Sequence, residues 1–90
     1  MMKAFQYGRL VSTPGAIAFC EQNKINLISL VRRHLQGDWG DLCDDDKKAN
    51  EQALIDGTRL LSSYEFPEGN VWVITEADRS STCVLLPSEY

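Results

Sequence analysis

The last third of the chain most constrains its fold, because it holds three β-prone segments separated by very short turns. The segments are RLLSSYEF (59–66), VWVITE (71–76) and STCVLLP (81–87), and the turns between them are PEGN and ADRS. β-Branched and aromatic residues are frequent in these segments, and Pro87 ends the last one. Turns this short join neighbouring antiparallel strands, so the sequence predicts an antiparallel meander of three strands.

A strand and three helices are predicted before the meander. The segment KAFQYGRLVS indicates a strand over about 4–12, and the helices are predicted over 13–23, 26–37 and 44–57. Thr13 before Pro14 and Asn26 are typical helix starts, and Gly37 and Gly57 are typical helix ends. The order βαααβββ predicts one α+β domain over 1–90, in which the helices cover one face of a four-stranded antiparallel sheet.

Composition excludes several classes of protein. A chain of 90 residues suits one small domain, and its apolar runs are too short to span a membrane. The N-terminus MMKAFQYGRL has no continuous apolar core or cleavage site, so we expect no signal peptide. The three cysteines form no CxxC pair. They indicate buried thiols in a reduced cytoplasm, and nothing in the sequence points to a cofactor.

The negative charge is concentrated in one segment. The net charge is −4, and residues 38–46 hold five Asp and no Lys or Arg. A nucleic-acid binder usually carries the opposite sign, so direct binding of DNA or RNA is not expected. The alternative is an acidic decoy that imitates DNA phosphates and inhibits a host restriction-type defence enzyme. A single patch is a poor copy of a phosphate track with one charge per about 1.7 Å.

The segment HLQGDWGDLCDDD (34–46) is the densest cluster of polar chemistry. His34, Asp38 and Asp41 are ligand types that suit a divalent metal in a metal-dependent enzyme, although their spacing matches no known motif. The plainer interpretation is that His34 closes the end of the second helix and that the Asp side chains bond to turn amides. Trp39 is expected in the core, with a recognition surface as the alternative, and the flanking glycines would permit the tight turn.

The second cluster lies at a predicted hairpin tip, ITEADRSST. Glu76, Asp78 and Arg79 suit acid/base chemistry or anion binding, or they simply stabilise their own turn. Arg59 or Arg79 would meet Asp38 or Asp41 if the two turns fell at one end of the sheet. The candidate site predicted from the sequence is therefore a polar network. Its members are His34, Asp38, Trp39, Asp41, Arg59, Glu76, Asp78 and Arg79.

The sequence favours a binding protein over an enzyme. It contains a single His and no GxGxxG, GxxxxGK[ST] or GxSxG motif. The strand VWVIT is apolar on both of its faces. We therefore expect both faces of the sheet to be covered, one by the helices and the other by a host protein or a second copy. This predicts protein binding and a homodimer through the sheet or its edge.

Several stretches resemble a family of small bacterial proteins carried on plasmids, integrative elements and similar mobile DNA. The stretches are GRLVSTPGA, HLQGDWGDLCDDDKKANEQAL, GTRLLSSY and WVITEADRSSTCVLLPSEY, with GDWGD and ITEADR as the most specific runs. Members of the family are usually labelled hypothetical or plasmid-related proteins. The resemblance implies a genetic setting, bacterial cytoplasm and accessory DNA, and it assigns no role to any residue.

Overall fold

A computed structural model describes residues 5–90 of the chain. The elements follow the predicted order βαααβββ. They are β1 (Arg9–Ser12), α1 (Pro14–Gln22), α2 (Leu27–Leu35), α3 (Asp44–Asp56), β2 (Leu60–Phe66), β3 (Gly69–Thr75) and β4 (Ser81–Leu85), followed by a short 3-10 turn, Pro87–Glu89. The predicted α+β class is therefore confirmed.

The four strands form one mixed sheet in the order β1-β4-β3-β2. Strands β2, β3 and β4 make the predicted antiparallel meander, but β1 pairs with β4 in parallel. The prediction of a fully antiparallel sheet is therefore wrong. A hairpin dictates antiparallel pairing, whereas β1 reaches the sheet through three helices, and a connection of that length permits either direction.

The first strand is also shorter than predicted. It starts at Arg9, whereas the prediction began at residue 4, which lies outside the described residues. Gly8 has a φ of 64°, a left-handed conformation that interrupts an extended chain. A Cβ atom at Gly8 would lie 2.3 Å from the Ser80 carbonyl oxygen, so the close approach to the next strand also requires glycine.

All three helices pack on the same face of the sheet, as predicted. The larger core cluster joins α1 and α2 to the sheet through Ala16, Cys20, Leu30, Val31, Tyr64, Val71, Val73 and Val84. A second cluster joins α3 through Ala53 to Leu60 and Trp39. Strand residues in both clusters share one parity of the paired register, which places them on one face.

The helix boundaries follow the predicted capping residues. The Thr13 hydroxyl accepts a hydrogen bond from the Ala16 amide at 3.1 Å, and Asn26 accepts one from the Ser29 amide at 3.3 Å. Gly57 ends α3 in the left-handed conformation with φ 76°. The two side chains pair amides of the first helical turns, and the Gly57 amide pairs the Ala53 carbonyl of the last turn.

The sheet face opposite the helices is partly covered by the end of the chain. The rings of Trp72 and Tyr90 meet edge to face with centroids 5.7 Å apart. The Arg59 guanidinium lies 5.2 Å from the centre of the Tyr90 ring and donates to its hydroxyl. Aromatic residues of this face are thus covered from within the chain.

The three cysteines are free thiols, but they are not all buried as predicted. Cys20 is buried, Cys83 is half-buried and Cys43 is exposed. Cys43 stands directly before α3, whose first turn is Asp44, Asp45 and Asp46. Within residues 5–90, the helices are all too short or too polar to cross a lipid bilayer.

Candidate functional site

The GDWGD turn places Trp39 in the core and reverses the chain around it. Trp39 is only 4% exposed and packs against Ala53 and Leu60, so the core interpretation is confirmed. Its indole N–H donates to the Glu51 carboxylate at 2.8 Å. Gly37 and Gly40 have φ values of 81° and 79°, a backbone conformation that L side chains disfavour. The turn therefore ties the end of α2 to α3.

The same turn pairs with the outer edge of β2. The Ser63 amide donates to the Trp39 carbonyl at 3.2 Å, and the Asp41 amide donates to the Ser63 carbonyl at 2.7 Å. The Asp41 carboxylate accepts from the Glu65 amide at 2.8 Å. Asp41 therefore bonds to a backbone amide, as its plainer interpretation predicted, although the amide belongs to the sheet and not to the turn.

Asn50 of α3 completes the closure of this edge. Its side-chain amide donates to the Leu61 carbonyl at 2.6 Å and accepts from the Leu61 amide at 3.1 Å. The outward-facing backbone of β2 belongs to Leu61, Ser63 and Glu65, because the alternate residues pair with β3. Each of these three residues therefore has a partner along the edge.

Asp38 is held by α2 rather than by the hairpin. Its carboxylate accepts from Arg33 Nε at 2.7 Å and from the Gly40 amide at 3.1 Å. The hydrogen bond from Arg33 lowers the pKa of Asp38, and the Gly40 amide acts in the same direction. The Arg33 guanidinium also lies 4.5 Å from the centre of the Tyr64 ring, whose hydroxyl donates to the Asp38 carbonyl at 2.7 Å.

His34 points from α2 into the sheet and is 0% exposed. Its Nδ1 lies 2.6 Å from the Ser62 hydroxyl oxygen, and its Nε2 lies 2.9 Å from the Thr75 hydroxyl oxygen. Burial lowers the pKa of His34 from 6.5 to about 4, so the ring is neutral at neutral pH. The prediction that His34 closes the end of α2 is wrong, because both ring nitrogens bond to strand side chains.

A chain of hydrogen bonds fixes the tautomer of this imidazole. The Thr82 hydroxyl donates to the Tyr7 carbonyl at 2.8 Å, so it must accept from Thr75, whose hydroxyl lies 2.7 Å away. A hydroxyl has one proton, so Thr75 in turn accepts from His34. The proton of the neutral ring is therefore on Nε2, and Nδ1 accepts from the Ser62 hydroxyl.

The three predicted metal ligands do not converge. His34 is enclosed by hydroxyls, Asp38 is paired with Arg33, and Asp41 is bonded to the β2 edge. In the described part of the chain, no three His, Cys, Asp or Glu side chains are grouped to hold a metal ion. The hypothesis of a metal site at these residues is therefore wrong.

The Ser62–His34 contact places a hydroxyl beside an imidazole, as in a nucleophile–base pair, but the two side chains are not accessible from solvent. Both side chains are fully buried, and residues 5–90 form no pocket that leads to them. The contact satisfies the polar atoms of an imidazole that is surrounded by Phe5 and Trp39, whose rings lie 5.8 and 5.6 Å from its own.

The hairpin tip secures the end of α3. Arg79 donates to the carbonyls of Thr58, Glu76 and Ala53 at 2.7, 3.1 and 3.2 Å. Asp78 accepts from the Ser80 amide at 2.9 Å, as expected of an Asp that stabilises its own turn. The Glu76 side chain is exposed, and its backbone closes the turn by accepting from the Arg79 amide at 2.9 Å.

The predicted pairing of Arg59 or Arg79 with Asp38 or Asp41 is wrong. Arg79 bonds to carbonyl groups, Arg59 packs on Tyr90 at the other face, and Asp38 pairs with the nearer Arg33. The GDWGD and ITEADR runs do meet a common element, because Trp39 donates to Glu51 of α3 and Arg79 donates to the Ala53 carbonyl. The eight predicted residues therefore form separate structural contacts and not one polar site.

The opposite edge of the sheet contrasts with the closed β2 edge. The amides of Arg9 and Thr13 donate to the carbonyls of Ser80 and Val84 in β4, at 2.9 and 3.0 Å. Backbone groups of a strand alternate in direction, so those of Leu10 and Ser12 point away from the sheet. No residue in the range 5–90 makes a backbone hydrogen bond to this outward side. Leu10 and Val11 are 41% and 38% exposed, which leaves an apolar, unpaired strand edge.

The state of the two sheet edges was not predictable from the sequence. No local pattern records which edge of the meander the first strand takes. The signal for the closed edge was Asn50, a polar residue in line with Ala53 on the apolar face of the third helix. A polar side chain in that position needs a partner, and the backbone of β2 provides it.

Comparisons of the chain with protein-family models, with curated proteins and with solved structures found no match.

Proposed function

We propose that this protein is a small accessory protein that binds another polypeptide along the outer edge of β1 and catalyses no reaction itself. In keeping with the sequence resemblance, we place it in the bacterial cytoplasm and on mobile DNA. In this proposal an extended segment of the bound chain adds a strand to the sheet next to β1. Main-chain hydrogen bonds would supply affinity, and Leu10 and Val11 would supply apolar contacts on the two faces.

The observation that carries the proposal is the contrast between the two edges. At β2, side chains and a turn occupy the outward backbone of Leu61, Ser63 and Glu65. At β1 the corresponding groups of Leu10 and Ser12 face outward among exposed apolar side chains. Natural sheets usually block their edges with charge, proline, bulges or covering segments. The β1 edge carries one charged residue, Arg9, but it contains no proline and no segment within residues 5–90 covers it, so it is the edge suited to pairing.

The acidic decoy is less well supported. Of the five Asp in residues 38–46, Asp38 is paired with Arg33 and Asp41 is bonded to the β2 backbone. The other three stand in the first turn of α3, where the helix dipole favours negative charge. The arrangement therefore has structural reasons at each position and does not form a track of free charges.

The test is a pull-down from the native host with three versions of the protein. Leu10→Pro removes one outward N–H without removing a bond to β4, and an edge strand tolerates proline at such a position. Leu10→Ala shortens the same side chain and keeps the N–H, so it is the matched control. We expect partners to bind the wild type, to bind Leu10→Ala more weakly because one apolar contact is shortened, and to be lost from Leu10→Pro. Partners that bind all three versions equally would refute the β1 edge as the binding surface.

A further inference from the structure

We propose that the chain that occupies the β1 edge is a second copy of the protein, paired antiparallel about a two-fold axis at Val11. This inference rests on the proposed function and names the partner of the same edge. The two sheets would join through β1 into one continuous sheet of eight strands. The register, the charges and the position of the acidic segment each support this occupant.

The outward hydrogen-bonding groups select the register. Outward amides belong to Leu10 and Ser12, so an antiparallel two-fold arrangement must pair these residues with each other or with themselves. Centring the axis on Val11 sets Leu10 opposite Ser12 of the second copy and forms four main-chain bonds within the strands. Centring it on Leu10 would require Gly8, whose φ of 64° takes it out of the extended conformation, and centring it on Ser12 would set Leu10 opposite Pro14, which has no N–H.

The charges complement each other in this register. Arg9 lies opposite Thr13 of the second copy, and both continue the face of the sheet that carries Val11. The Thr13 hydroxyl donates to the Glu89 carboxylate at 2.6 Å, which fixes that acid beside the strand. Each copy would therefore bring Arg9 near Glu89 of the other, giving two symmetric ion pairs.

The acidic segment does not oppose the association. Its five Asp lie in the turn along the β2 edge and at the start of α3, on the far side of the sheet from β1. Arg9 is the only charged residue in the range 5–13. Two copies of an acidic protein thus meet at the edge where their like charges are farthest apart. The paired edge is short, so we expect a weak dimer with Kd in the micromolar range.

The first test measures self-association by sedimentation equilibrium from about 1 to about 500 µM, a range that brackets a micromolar Kd. We expect the wild type to form dimers, Leu10→Ala to form weaker dimers because it keeps the N–H but shortens one apolar contact, and Leu10→Pro to remain monomeric, with circular dichroism confirming that all three fold. A wild type that stays monomeric throughout would overturn the second copy as occupant. The proposed function would survive that result if Leu10→Pro still abolished capture of a host partner. Dimers that persist in Leu10→Pro would refute the edge itself.

The second test is a charge-swap mixture, in which recovery of dimerisation on mixing also shows that both variants fold. Arg9→Glu alone and Glu89→Lys alone each set like charges opposite one another, and we expect each to raise Kd by about tenfold. Mixed in equal amounts, the two variants restore both opposite-charge pairs in the heterodimer. We therefore expect the mixture to dimerise as the wild type does. A mixture as weak as its components would contradict the register.

The third test is a disulfide at the axis. In the proposed register the two Val11 residues form a non-hydrogen-bonded pair with Cα atoms about 4.5 Å apart, within the range of about 4.4 to 6.8 Å that a disulfide spans. In a Cys43→Ser, Cys83→Ser background, which removes the exposed native thiol and the thiol paired with Val11 in β4, we expect Val11→Cys to cross-link on mild oxidation. Ile55→Cys, at a position 79% exposed on α3, is the control for random collision. Equal cross-linking of the two would overturn the proposal.

Discussion

Polar side chains carry much of the structural specificity of this small core. His34, Ser62, Thr75 and Thr82 are all fully buried, and each has a hydrogen-bond partner. Across residues 5–90 every buried side-chain nitrogen and oxygen is satisfied. An unpaired buried polar group costs about 1–3 kcal/mol, so the network favours the one arrangement of α2 over the sheet in which all bonds form.

The buried imidazole predicts a specific dependence of stability on pH. The pKa of His34 is about 4 in the folded protein against 6.5 for the unperturbed group, so between these values the unfolded chain binds more protons. The free energy of unfolding is therefore complete above pH 6.5 and falls as the pH drops toward 4, by about 3 kcal/mol in total. Urea unfolding followed across this range measures the loss.

The control for that titration is His34→Gln, which keeps a polar side chain but cannot titrate. We expect this variant to be less stable at pH 7 and nearly independent of pH between 4 and 6.5. Asp38 has a pKa below its usual range, so its own contribution is lost at lower pH than that of His34. A wild-type profile parallel to that of the variant would rule out His34 as the titrating group.

Two glycines with the same backbone conformation allow the cost of backbone strain to be measured apart from the cost of a steric clash. Gly57 and Gly40 have φ values of 76° and 79°, but a Cβ at Gly57 meets nothing within 4 Å, whereas one at Gly40 would lie 2.1 Å from the Ser63 carbonyl oxygen. We expect Gly57→Ala to lower the free energy of unfolding by about 1 kcal/mol and Gly40→Ala by roughly 3 kcal/mol or more. Equal losses in chemical denaturation would show that the turn does not approach β2 so closely.

At the scale of elements, α3 depends on its neighbours more than on its own sequence. Few of its side chains are buried, Asn50 and Ala53 among them. Its second half is held by Trp39, which donates to the Glu51 carboxylate, and by Arg79, which donates to the Ala53 carbonyl. A helix with so little apolar surface gains most of its stability from tertiary contacts. The loss of either anchor should therefore be felt along the helix.

Arg79 provides the test of that dependence. Arg79→Lys keeps the charge but cannot form the fork that reaches the carbonyls of Thr58, Glu76 and Ala53 together. We expect a loss of about 1–3 kcal/mol in the free energy of unfolding and faster amide exchange in the last turn of α3. Exchange in the last turn of α2 is the internal reference and should change less. Unaltered exchange in α3 would show that the hairpin does not hold it.

The elements also show which features a sequence can predict. Helix caps such as Thr13, Asn26 and Gly57 act on backbone groups within a few residues, so they can be predicted from the local sequence. The meander can be predicted in the same way, because its turns are short. The direction of β1 was not predictable, because three helices separate it from its neighbour. The groups that bond to Arg79 and Asp41 belong to segments distant in sequence. Their charged side chains therefore suggested a binding site from the sequence, whereas the structure uses them for structural hydrogen bonds. The helical spacing of His34 from Leu30 and Val31 does place it on the buried face of α2, but its partners Ser62 and Thr75 lie in distant strands, so its role was misassigned to the helix end.

At the scale of the whole molecule, the two faces of the sheet are covered by different means. Three helices cover one face, and on the other Tyr90 packs against Trp72 beneath Arg59. The apolar character of VWVIT on both sides thus has a partial explanation within one chain. The edge of the sheet is therefore a better candidate for partner binding than its face.

The cover over Trp72 can be tested by fluorescence. We expect Tyr90→Ala to shift the Trp72 emission to longer wavelength and to lower the free energy of unfolding by about 1 kcal/mol, the size of one aromatic contact. The same substitution in a Trp72→Phe background should leave the emission unchanged, since buried Trp39 is then the remaining indole. A red shift in that background would mean that Tyr90 acts on Trp39 or on the fold as a whole.

The sealing of β2 by Asn50 and the Asp41 turn has a consequence for growth of the sheet. A filament of stacked strands needs two receptive ends on every subunit, and this molecule offers one. Pairing through β1 would bury the open edge of each copy and leave a closed β2 edge at both ends of the joined sheet. Polymerisation would stop after a single step, so the protein can keep a reactive strand without seeding fibres.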